Sequence, residues 1–207
     1  GTFCNIDQSN KTITLAPLFD ELGHTILPKR TVRYDHLVIA IGSVSNDFNT
    51  PGIKEHCYFL DSNQQAERFQ HSLLDSFTRL HQDDNQQQSL DIAIVGGGAT
   101  GVELSAELYH VSELLKLYGL TNMSSKRLHI HLIEAGSRIL PALPERIAVS
   151  AKRELLKLGV NVREQTQVKE ATEQGFITKD EEHIDADIMV WAAGVKAPDF
   201  IKDLGVF

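Results

Sequence analysis

The apolar and polar positions change period several times along the chain. Phe3 to Ile6 and Thr12 to Leu15 flank a polar turn, Asp7-Gln8-Ser9-Asn10, which predicts a β-hairpin. Thr31 to Tyr34 reads as another short strand. Leu37-Val38-Ile39-Ala40-Ile41 is an uninterrupted apolar run, the pattern of a strand covered on both faces. Asn49-Thr50-Pro51-Gly52 breaks the pattern, and Cys57 to Leu60 is a further short segment. Asp61 and Ser62 are good helix N-caps, and Ala66, Phe69, Leu73, Phe77 and Leu80 then recur at helical spacing. Gln82 to Ser89 contains no apolar residue, which predicts a solvated loop at a domain boundary.

Beyond that loop the order becomes β-α-β-α-β. Strand Leu90 to Val95 runs into a glycine cluster, and a helix from about Ala99 carries Leu104, Leu108, Val111 and Leu115. A polar connection, Thr121 to Lys126, leads to strand Leu128 to Glu134. A helix from about Pro144 carries Ile147, Ala151, Leu155 and Leu158 and stops at Gly159, a good C′ residue. Short strands follow near Val160 to Val162, Gln165 to Val168, Gly175 to Thr178 and His183 to Ile184, before Asp187 to Ala193 closes the set. One stretch echoes another: Tyr34 through Phe48 superposes on Ala186 through Phe200, matching Asp35 with Asp187, Gly42 with Gly194 and Asp47 with Asp199. Each copy is an apolar run ending in Gly, where bare backbone can approach a ligand. The echo implies two dinucleotide units, only the second with its glycine loop here.

The candidate chemistry centres on Gly96-Gly97-Gly98-Ala99-Thr100-Gly101, placed directly after a strand and before a helix. Gly96 permits the tight turn, Gly98 lets a pyrophosphate reach backbone, and Gly101 lets helix and strand pack closely. The helix N-terminus then offers free N–H groups to the phosphates. Glu134, at the end of the next strand, is the acid expected to hold the adenosine ribose and repel a 2′-phosphate, which predicts NAD rather than NADP. Glu134 lies 33 residues after Gly101, more than the usual ~20, so an insertion is placed in Thr121 to Lys126. Arg138 is the minor alternative, as a partner for a 2′-phosphate. Glu103, in the first helical turn, either complements the helix dipole or faces the reacting end of the nicotinamide. His129 and His131 share a strand face, but no third ligand is placed, so no metal is expected.

Composition narrows the classes. The 207 residues are 42% hydrophobic and 23% charged, ordinary for a globular α/β protein, and a net charge of −8 argues against nucleic acid. Two distant cysteines, Cys4 and Cys57, suggest neither a disulfide framework nor a metal site and fit a reducing compartment. The longest apolar run, Ile188 to Val195, is far short of the ~20 residues that span a bilayer. No signal peptide is apparent, and the missing initiator Met beside an apparent strand suggests a piece excised from a longer protein.

On these motifs the chain resembles the type II (non-proton-pumping) NADH:quinone oxidoreductases, the single-subunit respiratory NADH dehydrogenases of bacteria. The residues that carry the resemblance are Tyr34 to Ser43, Asn46 to Gly52, Ile92 to Glu107, Glu134-Ala135-Gly136 with Arg138 to Pro141, and Trp191 to Phe200. It implies a Rossmann-like domain of the two-dinucleotide-binding flavoprotein type, with part of a second, FAD-type domain. Residues 1–50 would be the later part of the first half of the FAD domain and 51–87 a connecting segment with its helix. Residues 88–190 would be the NADH domain, and 191–207 the return toward FAD. It further implies that Ala193 and Gly194 line the nicotinamide side, that Glu103 lies near the nicotinamide–flavin stack, and that Ala40, Gly42 and Ser43 contact FAD. In that family NADH reduces FAD and the flavin passes electrons to a quinone, on the cytoplasmic face of the inner membrane as a peripheral protein. This chain is expected to bind NADH without retaining FAD and to pair or aggregate through exposed strand edges. The alternatives are a flavoprotein disulfide or ferredoxin-type reductase and a non-catalytic NADH-binding module.

Overall fold

A computed structural model of the chain describes residues 2–83, 88–117 and 127–204. The chain divides into two compact units, one formed by Gly1–Val44 with Lys196–Phe207, the other by Ser45–Val195.

The first unit carries the expected hairpin. Strands β1 (Phe3–Asp7), β2 (Thr12–Leu15) and β5 (Arg30–Arg33) form an antiparallel sheet in the order β1-β2-β5. The Asp7 carboxylate closes the first turn by accepting from Asn10 N at 2.9 Å and Asn10 Nδ2 at 2.7 Å. A small ladder, β3 (Leu18–Phe19) with β4 (Thr25–Leu27), is turned by Asp20, which accepts from Leu22 N and His24 N. The helical turn α5 (Phe200–Asp203) brings Phe200 to 6.1 Å from the Phe3 ring. One expectation fails here. Leu37 to Ile41 is neither a strand nor buried, with Val38 84% exposed. Apolar character alone does not make a strand; a ladder partner is needed, and none pairs with this run among the described residues. The echo with residues 186–200 is therefore one of sequence, since only its second copy is a buried strand.

The chain enters the second unit through β6 (Val44–Ser45) and leaves it through β14 (Val195–Lys196). Its centre is a parallel sheet in the order β13-β7-β8-β9, built from β7 (Leu90–Val95), β8 (Leu128–Ile133), β9 (Asn161–Arg163) and β13 (Ile188–Trp191). Tyr58 extends it: its N–H donates to Met189 O at 2.8 Å, and Trp191 N–H donates to Tyr58 O at 2.9 Å. Successive side chains point to opposite faces, so one sheet feeds two cores. Ile92, Ile94, Ile130, Leu132 and Val190 face helices α2 (Asn63–Gln82), α3 (Ala99–Leu117) and α4 (Glu145–Leu158). Ala93, Val95, Ile133, Met189 and Trp191 face the short helix α1 (Ile53–His56) and an antiparallel sheet of β10 (Val168–Thr172), β11 (Gly175–Thr178) and β12 (His183–Asp185).

Ser62 caps α2, its hydroxyl accepting from Gln65 N, while Asp61 turns away to accept from Ser45 N and Oγ. The α2 stripe of Phe69, Leu73, Phe77 and Leu80 is buried against the sheet core, so α2 belongs to this unit and no boundary falls at 82–89. Arg127 fastens the ends of that loop. It donates to Leu80 O at 2.9 Å and Gln88 O at 2.7 Å and pairs with Asp83 at 2.7 Å. Residues 84–87, and the insertion expected at Thr121 to Lys126, lie outside the described residues. Gly159 ends α4 at φ +100° and Leu155 is buried, both as expected, but Ile147 and Leu158 are exposed and Ala148 is buried instead. Near the β9 edge of the sheet α4 has less surface to cover, so its buried stripe is narrower than its apolar stripe. The strand expected at 165–168 starts only at Val168, because Gln165 turns at φ +56°.

Candidate functional site

The site lies at the C-terminal ends of β7, β8 and β13. Gly96 leaves β7 at φ +120°, its N–H donating to Ile133 O at 2.8 Å. A Cβ on Gly96 would stand 2.5 Å from Ala192 O, and one on Gly101 would stand 2.0 Å from Gly96 O. At both positions backbone meets backbone, and only hydrogen fits. Gly98 is the opposite case: a Cβ there would meet nothing within 4 Å. The corner is packed on its inner side and open at Gly98, whose N–H lies at the mouth of α3. Ala99 and Thr100, the first residues of α3, are exposed.

Glu134 sits where β8 ends. One carboxylate oxygen accepts from Gly97 N at 2.7 Å, the other from Gly136 N at 2.6 Å. A Cβ on Gly97 would lie 2.8 Å from that carboxylate, which is why the position has to be glycine. The acid thus binds the glycine loop and the turn after β8 to each other, with further lone pairs on each oxygen.

A cavity of about 410 Å³ joins these parts, lined by Gly96, Gly98, Glu134, Trp191, Ala193 and Gly194, with Thr166 and Gln167 also in its wall. Gly194 turns at φ +65° under the Phe48 ring. Trp191 is held by its Nε1–H, which donates to Asn46 O at 2.8 Å. Among the described residues no Lys or Arg lines this cavity, so an anion entering it meets backbone N–H groups and the α3 dipole rather than one of their side-chain cations. A wider depression of about 590 Å³, lined by Glu107, Tyr109, His110 and Lys157, gathers neither the glycine corner nor Glu134.

Several expected residues stand elsewhere. Glu103 is exposed on α3 and does not line the cavity. Ala40, Gly42 and Ser43 belong to the first unit and are exposed, with open space around Gly42 at φ +78°. Arg138 turns into its own loop, donating to the carbonyls of Leu140, Pro141 and Leu143. His129 is paired with Asp91 at 3.1 Å and His131 with Asn161 at 3.2 Å; no group of three metal-ligating side chains is found among the described residues. Phe48, Thr50, Pro141, Thr166, Gln167 and Trp191 line the cavity without having been singled out as site residues. The segment around Phe48 and Asn49, both at positive φ, stands out in the sequence as the end of the echo, a stretch of the resemblance and a Pro-Gly break, none of which assigns it to the site. Thr166 and Gln167 follow a turn that no local pattern announces. No helix among the described residues is long and apolar enough to cross a membrane.

A doubly covered parallel sheet with a glycine corner and an acid on the adjacent strand defines the pyridine-nucleotide-binding class of α/β domain. The chain belongs to the pyridine nucleotide-disulphide oxidoreductase family, whose model matches residues 2–207. It is 46% identical, over 95% of its length, to the type II NADH:quinone oxidoreductase of Haemophilus influenzae, of which it covers 48%. It is 32% identical to the mitochondrial external alternative NAD(P)H-ubiquinone oxidoreductase B1 of Solanum tuberosum, over 96% of this chain and 36% of that protein. The chain thus spans about half, or less, of the curated relatives it matches. NDH2 from Plasmodium falciparum in complex with NADH shares the fold, with a TM-score of 0.75 over 97% of this chain and 41% of that one at 23% identity. A NAD-dependent persulfide reductase from A. fulgidus shares it with a TM-score of 0.67, over 98% of this chain and 32% of that one at 24% identity.

Proposed function

We propose that this chain is the NADH-binding portion of a flavin-dependent NADH dehydrogenase that delivers electrons to a membrane quinone. The observation that carries the reading is the Glu134 carboxylate, held beside the open Gly98 backbone in a cavity without a cationic side chain. A diphosphate fits the bare amides at Gly98 and the α3 N-terminus, because no Cβ occupies that space. A ribose diol fits the free lone pairs of Glu134, and a 2′-phosphate there would meet a negative charge with nothing to neutralise it. Gly194 and Ala193 line the cavity with Phe48, an apolar stretch of wall suited to a planar ring.

FAD, when bound to the whole protein, supplies the two-electron acceptor for the hydride of NADH. The exposed Ala40-Ile41-Gly42-Ser43 backbone, open at Gly42, is the part of this chain suited to meet it. The role of the chain is to hold and orient the nicotinamide nucleotide and to exclude NADPH. Quinone as the acceptor rests on the likeness to the type II NADH:quinone oxidoreductase of Haemophilus influenzae; a peripheral place on the cytoplasmic face of a bacterial inner membrane is the setting that the family resemblance implies. Exposed Leu37 to Ile41 favours pairing between chains, which light scattering reads. Disulfide reduction by this chain is disfavoured: its cysteines form no CxxC, and burial pushes the Cys57 thiol up to about 12, far from a thiolate. Calorimetric titration with NADH and NADPH tests the reading. NADH should bind at least about tenfold tighter, or ~1.4 kcal/mol. Equal binding of the two nucleotides would refute the assignment of Glu134.

A further inference from the structure

The loop after β8 contacts the glycine corner through Leu140, and its Pro141 shares the cavity wall with Gly98. Leu140 is buried there at φ +49°, a left-handed conformation that a branched side chain holds only when its surroundings impose it. In that conformation its N–H donates to Gly97 O at 2.6 Å. Leu143 N–H donates to Leu140 O at 3.0 Å, and the half-buried Arg138 ties the carbonyls of the same turn. One guanidinium nitrogen donates to Leu140 O at 3.1 Å, and the other to Pro141 O at 3.0 Å and Leu143 O at 2.9 Å. Glu164 adds a second hold, accepting from Ile139 N at 3.0 Å while ion-paired with Lys152.

The consequence follows from peptide geometry. No cis peptide occurs among the described residues, and in a trans peptide the C=O and the next N–H point in opposite directions. With the Gly97 carbonyl tied to Leu140, the Gly98 N–H points away from the loop, and Gly98 lines the cavity. Were the carbonyl released, this peptide would be free to flip, because glycine on both sides imposes no barrier from a Cβ.

We propose that Arg138 is a positioning residue for pyrophosphate recognition: through Leu140 it fixes the Gly97–Gly98 peptide with its N–H aimed for a phosphate. It meets no nucleotide atom and acts wholly through backbone. This rests on the reading of the cavity as an NADH site.

The test compares wild type, Arg138→Gln and Arg138→Lys for binding of NADH, ADP-ribose and adenosine, together with thermal unfolding. Lysine keeps the charge but, with one nitrogen, cannot span three carbonyls. In the glutamine variant NADH and ADP-ribose should each weaken about tenfold, the loss of roughly one charge-assisted hydrogen bond. Adenosine, which carries no diphosphate, should change by less than about twofold, and lysine should recover no more than about threefold of the loss. Unchanged NADH binding in both variants overturns the proposal. So does equal weakening of adenosine and NADH, which a merely structural role would produce, or full recovery by lysine. Failure of the wild-type chain to bind NADH refutes the nucleotide reading itself, and is distinguishable because it precedes any mutation.

Discussion

Replacing Gly98 and Gly101 separately by alanine pulls apart two demands that one glycine motif combines. At Gly98 the new methyl enters open space, with no protein atom within 4 Å and no positive φ to strain it. Stability should change by no more than about 0.5 kcal/mol. That same space is where a phosphate oxygen must come to reach the amide. Losing one such charge-assisted contact costs about 1.5–3 kcal/mol, so NADH should weaken roughly tenfold to a hundredfold. At Gly101 the methyl would sit 2.0 Å from Gly96 O, and α3 must retreat by about 1 Å to admit it. Overpacking of this kind costs ~1–3 kcal/mol, so the Gly101 variant should lose both stability and affinity. Trp191, the one tryptophan, lines the cavity and reports both quantities, through denaturant unfolding and through quenching by NADH. A Gly98→Ala protein that binds NADH like wild type, or unfolds as early as Gly101→Ala, would refute the reasoning.

Glu134→Gln removes the charge that repels a 2′-phosphate, and the preference for NADH over NADPH should fall by about tenfold. It should also lower stability by ~1 kcal/mol, because a carboxamide has one oxygen for the two amides of Gly97 and Gly136. Paired titrations that leave the preference intact would assign the discrimination elsewhere. His131 is held below its ordinary value of 6.5, chiefly by burial, with Arg163 and His129 pushing the same way and Asp91 opposing. The folded chain therefore favours the neutral ring. That contribution to stability is complete above pH 6.5 and is lost as pH falls from there toward the lowered folded value. Unfolding free energies for wild type should drop as pH falls below 6.5, and His131→Gln should flatten that part of the curve; equal slopes in the two proteins would contradict it.

Where local chemistry decides, the residues were legible in advance. The β1–β2 hairpin, the α2 stripe with its Ser62 cap, the Gly159 stop and the glycine corner after β7 each depend on neighbours within a few positions. Glu134 could be placed for the same reason, since a strand of known period ends beside it. The parts that were not legible depend on residues far away in sequence. Leu37 to Ile41 has the composition of a buried strand and lacks a ladder, and α4 buries Ala148 while exposing Ile147. The loop at 82–89 looked like a boundary, yet α2 packs on β7 and Arg127 ties both ends together.

The sequence by itself settled which backbone could bend, which faces were apolar and where a charge stood along the chain, because these are properties of single residues and their spacing. Only the tertiary structure decided what each of them met. It brought Thr166 and Gln167 into one cavity with Gly98, and turned Arg138 from a possible phosphate partner into a clasp on its own loop. Burial and hydrogen bonding are set by three-dimensional neighbours, and those neighbours come from segments that one-dimensional periodicity does not connect.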